Sequence, residues 1–477
     1  MVSIPRAGAP PRALTDPGAI LLISCYELGH QPLSLAFPLA SLRQAGFAPV
    51  AVDTSVESLD DAEIREARLV AISVPMHTAL RLGARIAARV RVVNPGAHVC
   101  FYGLYATLNA SYLLGVTGVG DSVIGGEYER PLLDLAAALD RGDDLAAVHG
   151  LGLVDRPAPP VLKPDILPVP EREALPQLRA YAGLERTGTI VPAGYVEATR
   201  GCHHTCRHCP ITPIYGGRFT VVPRDVVLAD ARAQIAAGAR HLTFGDPDFF
   251  NGPGHGLRIC RALHAEYPDL TFDVTIKIEH LLQHRRLLPE LAELGCAFVV
   301  SAVESLSDEV LTKLDKGHTR EGIIEALDLL DATRIPMRPS LLPFTPWETL
   351  DGYLHLLRFV AERGLVAHVD PVMLSIRLLV PPGSALLSDP TSATWLGDLD
   401  AEAFTYRWAH PDPRMDALHA AVSALVEEAA QTKERPPATF AKIWQAAHEA
   451  AGLASTRPPR PTTFRRPPPR LTESWFC

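Results

Sequence analysis

Three cysteines fall close together at Cys202, Cys206 and Cys209, in the run Glu197-Ala-Thr-Arg-Gly-Cys-His-His-Thr-Cys-Arg-His-Cys-Pro210. The spacing is C-x3-C-x2-C. Three thiolates converging from one loop can ligate three irons of a cubane cluster and leave the fourth iron open to a substrate or cofactor. The alternative is zinc, because Cys3His sites are common and His203, His204 and His208 interleave with the thiols. Structural zinc sites usually pair two ligand knuckles well separated in sequence, whereas every candidate here lies in one loop. Imidazoles spaced this tightly could not all reach one tetrahedral ion. Cys25, Cys100, Cys260 and Cys296 sit singly in apolar runs and read as buried small hydrophobes. Eight cysteines in 477 residues are too few for a disulfide scaffold, so the triplet points to metal ligation or redox chemistry in a reducing compartment.

The triplet follows the strand-like run AGYVEAT, which places it in a loop at a strand's carboxyl end, where α/β folds build their sites. Further candidate strands are HLTFGD, TFDVTIKI, AFVVSAV, PMRPSLL and AHVDPVMLSI, mostly separated by helical patterns such as VVLADARAQIAAG and EGIIEALDLLDAT. Six strands over residues 189–410 suit a partial (β/α)6 barrel and do not by themselves exclude a second open sheet. Ahead of it, residues 18–145 alternate strands (AILLIS, PVAVD, LVAISVP, AHVCFYG, DSVIGG) with amphipathic helices, the pattern of a Rossmann-like parallel sheet covered on both faces. Residues 1–17 read as a disordered leader, and residues 146–188 as a proline-rich linker. Residues 411–455 read as a helical extension. Residues 456–477 read as a Pro/Arg-rich tail that cannot form a regular core element and ends in Trp475-Phe476-Cys477.

The length fits two domains plus extensions. A net charge of −9 argues against a broad nucleic-acid surface. No run of about 18 apolar residues or signal-peptide core is evident, so no membrane partner is expected and the cytoplasm is the expected location.

C-x3-C-x2-C after a strand, opening a six-strand β/α region, resembles the radical S-adenosylmethionine (SAM) superfamily, and the resemblance runs over roughly residues 190–390. It implies a [4Fe–4S] cluster on Cys202, Cys206 and Cys209, with SAM chelating the open iron. Reductive cleavage of SAM to a 5′-deoxyadenosyl radical then follows. It also implies an electron donor such as flavodoxin or ferredoxin and a small-molecule or peptide substrate. Gly245-Asp246-Pro247-Asp248 ends the second barrel strand, at the position where the family's backbone binds the SAM amino group. Ser301 or Glu304 on the fourth strand occupies the place of a polar SAM contact. Lys277 on the third strand could point inward, and Arg338 could grip the SAM carboxylate as a fork. His208 stands where many members carry an aromatic residue, and its planar ring can pack beside adenine. Each has a plainer reading: Glu304 as a strand-end ion-pair partner, Lys277 at the strand's exit to solvent, Arg338 as structural. The segments Lys313–Thr319, Phe344–Thr349 and Val380–Ser384 also fit this family.

Residues 18–145 resemble the cobalamin-binding-like domain found ahead of many radical SAM cores, with the ending Gly120-Asp121-Ser-Val-Ile-Gly-Gly-Glu-Tyr-Glu129 as its signature. This implies cobalamin held near the cluster and, in one branch, methylation of an unactivated carbon. The other branch is hydrogen abstraction leading to rearrangement, cyclisation, or sulfur or selenium chemistry. The D-x-H-x-x-G motif that supplies a histidine to cobalt is missing around Cys25–His30. The fourth-strand segment Phe101-Tyr102-Gly103-Leu104-Tyr105 keeps one glycine and adds bulk. A scaffold or substrate-docking domain is the alternative. The start SCYELGHQPLSLAF and the ending Glu473-Ser-Trp-Phe-Cys477 together resemble a radical SAM subfamily whose members end in Cys-Cys-Ala-Glu-Pro or Cys-selenocysteine-Ala-Glu-Pro. That resemblance implies a chain cut at a selenocysteine codon, with Cys477 as half of a redox pair; a natural terminus with an unpaired thiol is the alternative. From a different class altogether, a zinc-stabilised binding protein without SAM chemistry remains open.

Overall fold

The computed structural model describes residues 13–473, apart from 158, 166, 187, 455 and 456. They divide into two compact units. One comprises the described residues through Glu27 together with Pro32–Pro176; the other comprises Leu28–Gln31 and the residues from Gln177 onward.

The first unit is a six-stranded sheet. Its strands are β1 (Ile20–Ser24), β2 (Val50–Asp53), β3 (Leu69–Ser73), β4 (His98–Tyr102), β5 (Ser122–Ile124) and β6 (Leu151–Gly152), in the order β2-β1-β3-β4-β5-β6. The first five are parallel and β6 runs antiparallel to β5. β1 and β3 are buried along their whole length, as their unbroken apolar runs require of strands covered on both faces. Helices Leu33–Gln44, His77–Val93 and Glu129–Arg141 supply the cover. The bulk expected in the fourth-strand loop is instead core. Phe101 and Tyr102 are fully buried in β4, and the Tyr102 hydroxyl donates to the Ser34 carbonyl at 2.7 Å.

The proline-rich stretch is less of a linker than its composition implies. β6 lies within it and completes the first sheet, and Glu127 N–H donates to the Val161 carbonyl at 2.7 Å. Of the expected leader, residues 1–12 lie outside the described residues. Leu14 is fully buried, and its N–H donates to Asp140 Oδ1 at 2.7 Å.

The second unit is built on a seven-stranded sheet, curled into a half-barrel, in the order β14-β13-β12-β11-β8-β7-β17. β7 (Gly183–Arg186) and β8 (Thr189–Val196) form a hairpin. β9 (Thr199–Gly201) and β10 (Phe219–Val221) pair separately as an antiparallel ladder, and β11 (His241–Phe244), β12 (Thr271–Thr275), β13 (Cys296–Glu304) and β14 (Met337–Leu341) follow. β8, β11, β12, β13 and β14 are parallel neighbours. Intervening helices such as Arg224–Ala236, Pro253–Glu266 and Arg320–Thr333 make this a β/α half-barrel. β15 (Leu396–Asp400) and β16 (Thr405–Trp408) form a further hairpin, and helices Pro413–Thr432 and Pro436–Ala450 form the extension. The expected α/β class with a parallel sheet, a half-barrel and a helical extension therefore holds.

Two expectations change. The sixth barrel strand, AHVDPVMLSI, is absent. Pro371 opens a 3-10 turn over Pro371–Leu374, and a single parallel bridge between Phe344 and Arg377 stands near where the strand was expected. A proline at that point lacks the N–H a ladder needs. The tail is not detached either. β17 (Arg470–Leu471) pairs with β7, Arg465 meets Asp331 at 2.7 Å, and Arg470 meets Asp370 at 3.1 Å. The tip with Trp475, Phe476 and Cys477 lies outside the described residues.

Candidate active site

The cysteine loop leaves β9 and returns as β10, so its two ends are clamped together. Cys202 N–H donates to the Arg218 carbonyl at 3.1 Å. Gly201 at the loop's start has φ +78°, and a Cβ there would lie 2.5 Å from the Tyr215 ring and 2.6 Å from the Arg218 carbonyl oxygen. Only glycine fits. Inside the loop, the residues between the cysteines carry the bonds that pin it. His203 N–H donates to Asn251 Oδ1 at 3.0 Å and Arg207 N–H to the Leu314 carbonyl at 3.0 Å. Thr212 Oγ1 donates to the Cys206 carbonyl at 2.9 Å, and Arg207 pairs with Asp389 at 2.9 Å.

The three thiols are free of disulfides, with Cys206 buried and Cys202 and Cys209 partly exposed. Burial pushes the Cys202 thiol up to about 11 and the Cys209 thiol up to about 12, with the neighbouring cysteines adding to the rise. Uptake of iron, which needs thiolates, therefore releases protons. Three sulfurs near enough to influence one another, on a loop held by other residues, fit the ligand set of a [4Fe–4S] cluster. The interleaved histidines do not complete a Cys3His set. His203 is exposed, His204 turns to Asp248 and Glu279, and His208 Nε2 lies 3.3 Å from Glu304 Oε1.

Around the loop the structure brings together most of the other residues singled out by sequence. Gly245 N–H donates to the Val196 carbonyl at 2.8 Å, and a Cβ on Gly245 would fall 2.0 Å from the Tyr195 hydroxyl. Asp246 accepts from Ala198 N–H at 2.9 Å and from Thr199 Oγ1 at 2.5 Å, tying β11 to the segment that leads into Cys202. Burial pushes the Asp246 carboxyl up to about 7. Asp248 Oδ1 accepts from Phe250 N–H at 2.9 Å, which caps the turn carrying Asn251. Lys277 Nζ lies 3.2 Å from Glu279 Oε2. Glu304, at φ +64° and beside a bulge in the β13–β14 pairing, turns its carboxylate to Lys316 Nζ at 3.0 Å. Burial works against this charge, but Lys316 and His208 hold the Glu304 carboxyl well below the usual carboxylate range.

Two of the residues have other partners. Ser301 Oγ donates to the Ile276 carbonyl at 2.7 Å, a tie between neighbouring segments. Arg338 is engaged by Asp370 and donates to the Pro469 carbonyl at 3.2 Å, with its guanidinium 5.8 Å over the Phe298 ring. It lines a cavity of about 190 Å³ inside the curled sheet together with Tyr195, Asp273, Phe298 and Gly245–Pro247.

Sequence reasoning missed several residues. His241 and Thr243 of β11 both bond Asp273 of β12, at 2.8 and 2.7 Å. The available signal was polar residues in two apolar strands at matching register, Thr243 opposite Asp273. His30 stacks on Tyr195 with ring centroids 4.5 Å apart and lines the same cavity, and no local pattern announces that. Lys316 was seen only as part of a family segment, although it is the partner of Glu304.

Residues 196–360 match the model of the radical SAM superfamily. The chain carries a radical SAM domain. The chain is 23% identical over 346 residues to an uncharacterised methyltransferase of Pyrococcus horikoshii, covering 69% of this chain and 73% of that one. It is 25% identical over 335 residues to the hopanoid C-3 methylase of Methylococcus capsulatus, covering 69% of this chain and 64% of that one, and so spans about two thirds of the length of these curated relatives. Among solved structures, the cobalamin-dependent S-adenosylmethionine radical enzyme OxsB superposes with a TM-score of 0.69 at 15% identity, over 92% of this chain and 73% of that one. The radical SAM methyltransferase TsrM from Kitasatospora setae gives a TM-score of 0.58 at 20% identity, over 71% and 70%. These likenesses show the fold. The radical SAM domain implies a [4Fe–4S] cluster and SAM as cofactors, a substrate and a reductant. Among the described residues no helix is long and apolar enough to cross a membrane.

Proposed function

We propose that this radical SAM enzyme holds its cluster on Cys202, Cys206 and Cys209 and uses it, with cobalamin, to methylate a carbon of a small-molecule or peptide substrate. The observation that carries the first part is the pinned loop, in which hydrogen bonds to His203, Arg207 and Thr212 order the backbone and leave the three thiols for a metal. When bound, the cluster supplies one electron that cleaves SAM to a 5′-deoxyadenosyl group able to take a hydrogen atom.

The protein's own residues bind and orient. The backbone of Gly245–Pro247 is assigned to SAM, and Gly245 carries no Cβ because the Tyr195 ring packs where one would lie. Lys277, paired with the half-exposed Glu279, and Glu304, paired with Lys316, lie near the cysteine loop, and His208, beside Glu304, offers a flat ring to adenine. Ser301 and Arg338 have protein partners and are better placed to hold β13 and β14 than to touch SAM. The cavity lined by Tyr195, Asp273 and Phe298 is assigned to the substrate. A single-electron donor of the flavodoxin or ferredoxin type and a reducing cytoplasm suit seven described thiols that are all free.

Cobalamin is supported by the β2-β1-β3-β4-β5 order of the first sheet, whose reversal between β1 and β3 is where such folds bind cofactors. The burial of Phe101 and Tyr102 supports it too, because it takes their bulk out of the loop. The relatives named as a methyltransferase and a methylase point the same way. Expression with added cobalamin followed by anaerobic purification tests this. A corrin absorption band at about one equivalent per chain, and methyl transfer that requires it, are expected. Cluster-loaded protein that never retains a corrin would move the assignment to hydrogen abstraction without methyl transfer.

A further inference from the structure

Beside the cysteine loop stands a second constellation. His204 lies between Cys202 and Cys206, Asp248 follows β11, and His280 sits on helix Ile278–Gln283. His204 Nε2, Asp248 Oδ2 and His280 Nδ1 all lie within 4.8 Å of one another. The two nitrogens are 3.5 and 2.9 Å from the Asp248 oxygen. The side chains are only 11%, 2% and 8% exposed. Yet neither nitrogen makes a hydrogen bond of acceptable geometry, and both atoms are shut off from solvent. A buried polar atom left without a partner costs about 1–3 kcal/mol. Both face one carboxylate oxygen, which they hold below the usual carboxylate range against the effect of its burial, at angles that suit a shared ion better than a direct hydrogen bond.

The distances say what kind. An ion with metal–ligand bonds of about 2.0–2.1 Å and tetrahedral ligands sets those ligands roughly 3.3 Å apart, and an octahedral one roughly 2.9 Å. The two separations, 2.9 and 3.5 Å, span that range. The carboxylate is held for the purpose. Asp248 Oδ1 is taken by Phe250 N–H, and Oδ2 has in addition only Lys277 N–H at a long 3.3 Å. Behind His204, Glu279 Oε2 lies 3.6 Å from Nδ1, a short shift from where a carboxylate would orient a metal-bound imidazole. The neighbouring Lys277 is balanced by that same Glu279 at 3.2 Å.

We infer that His204, Asp248 and His280 form a site for a divalent first-row transition ion, distinct from the cysteine thiolates. Two imidazoles and one carboxylate leave coordination positions open, the ligand set of catalytic zinc and of non-haem iron(II). The ion would add a Lewis acid next to the cluster loop. The site is independent of whether the first unit binds cobalamin.

The test is anaerobic titration of cobalt(II) into cluster-loaded protein, read by its visible ligand-field bands. One equivalent should bind with no thiolate-to-cobalt charge-transfer band. His280→Gln should weaken binding at least 100-fold. Glu279→Gln, a change at a half-exposed side chain, should weaken it about 10–100-fold. No cobalt uptake by the unaltered protein, a charge-transfer band that places the ion on the cysteines, or unaltered affinity in the His280→Gln variant would each overturn the site.

Discussion

Glu304 and Lys316 face each other at 3.0 Å with side chains only 10% and 4% exposed. Neither charge would be stable alone there. Each exists because the other does, with His208 as the second neighbour of the carboxylate. Through His208, 3.3 Å from the same carboxylate, the end of β13 is also tied to the cysteine loop.

Breaking that pair on one side leaves an uncompensated buried charge, which typically costs about 3–5 kcal/mol. Lys316→Met should lower the denaturation midpoint correspondingly and reduce iron uptake. The double change Glu304→Gln with Lys316→Met should recover most of the stability but not SAM binding. Equal loss in the single and double variants would show that the pair is not the source.

Asp246 holds Ala198 N–H and the Thr199 hydroxyl just ahead of Cys202. Asp246→Ala strands both donors, at about 1–3 kcal/mol each. Loss of iron per chain after reconstitution is the expected result, with far-UV circular dichroism unchanged. Full iron loading in this variant would separate the carboxylate from the loop.

Gly245→Ala places a methyl 2.0 Å from the Tyr195 hydroxyl and 2.1 Å from its ring carbon. Overpacking of this kind costs about 1–3 kcal/mol. SAM affinity should fall, and adding Tyr195→Ala should restore part of it, since the obstacle is that ring. A double variant no better than the single would point to a role for Gly245 other than clearance.

His318 sets a pH dependence. Burial first, and Lys316 second, lower it from 6.5 to about 4. The folded state binds this proton less readily than the unfolded one. Its contribution is therefore present above pH 6.5 or so and is lost as the pH falls towards 4, by about 3 kcal/mol at most. His318→Gln should flatten the stability profile between these limits, as read by denaturant midpoints at several pH values.

The cysteine triplet and five of the six barrel strands were legible because a thiol spacing and a buried apolar run are local patterns. AHVDPVMLSI was misleading. Its hydrophobicity is that of a strand, but Pro371 removes a ladder donor, and Asp370 is occupied by Arg338 and Arg470. The tail was illegible for another reason. β17 is two residues long, and its partner β7 lies far back in the chain, so nothing near Arg470 announces the pairing. The His204–Asp248–His280 group escaped for the same reason. Its members come from a loop, a strand end and a helix, and His204 was considered only as a competitor for the cysteines.

The central claim is that Cys202, Cys206 and Cys209 hold a cluster that cleaves SAM. Anaerobically reconstituted protein, reduced with dithionite in the presence of SAM, should release 5′-deoxyadenosine, and Cys206→Ala should release none. Fully cluster-loaded protein that neither binds SAM nor yields 5′-deoxyadenosine would contradict the account.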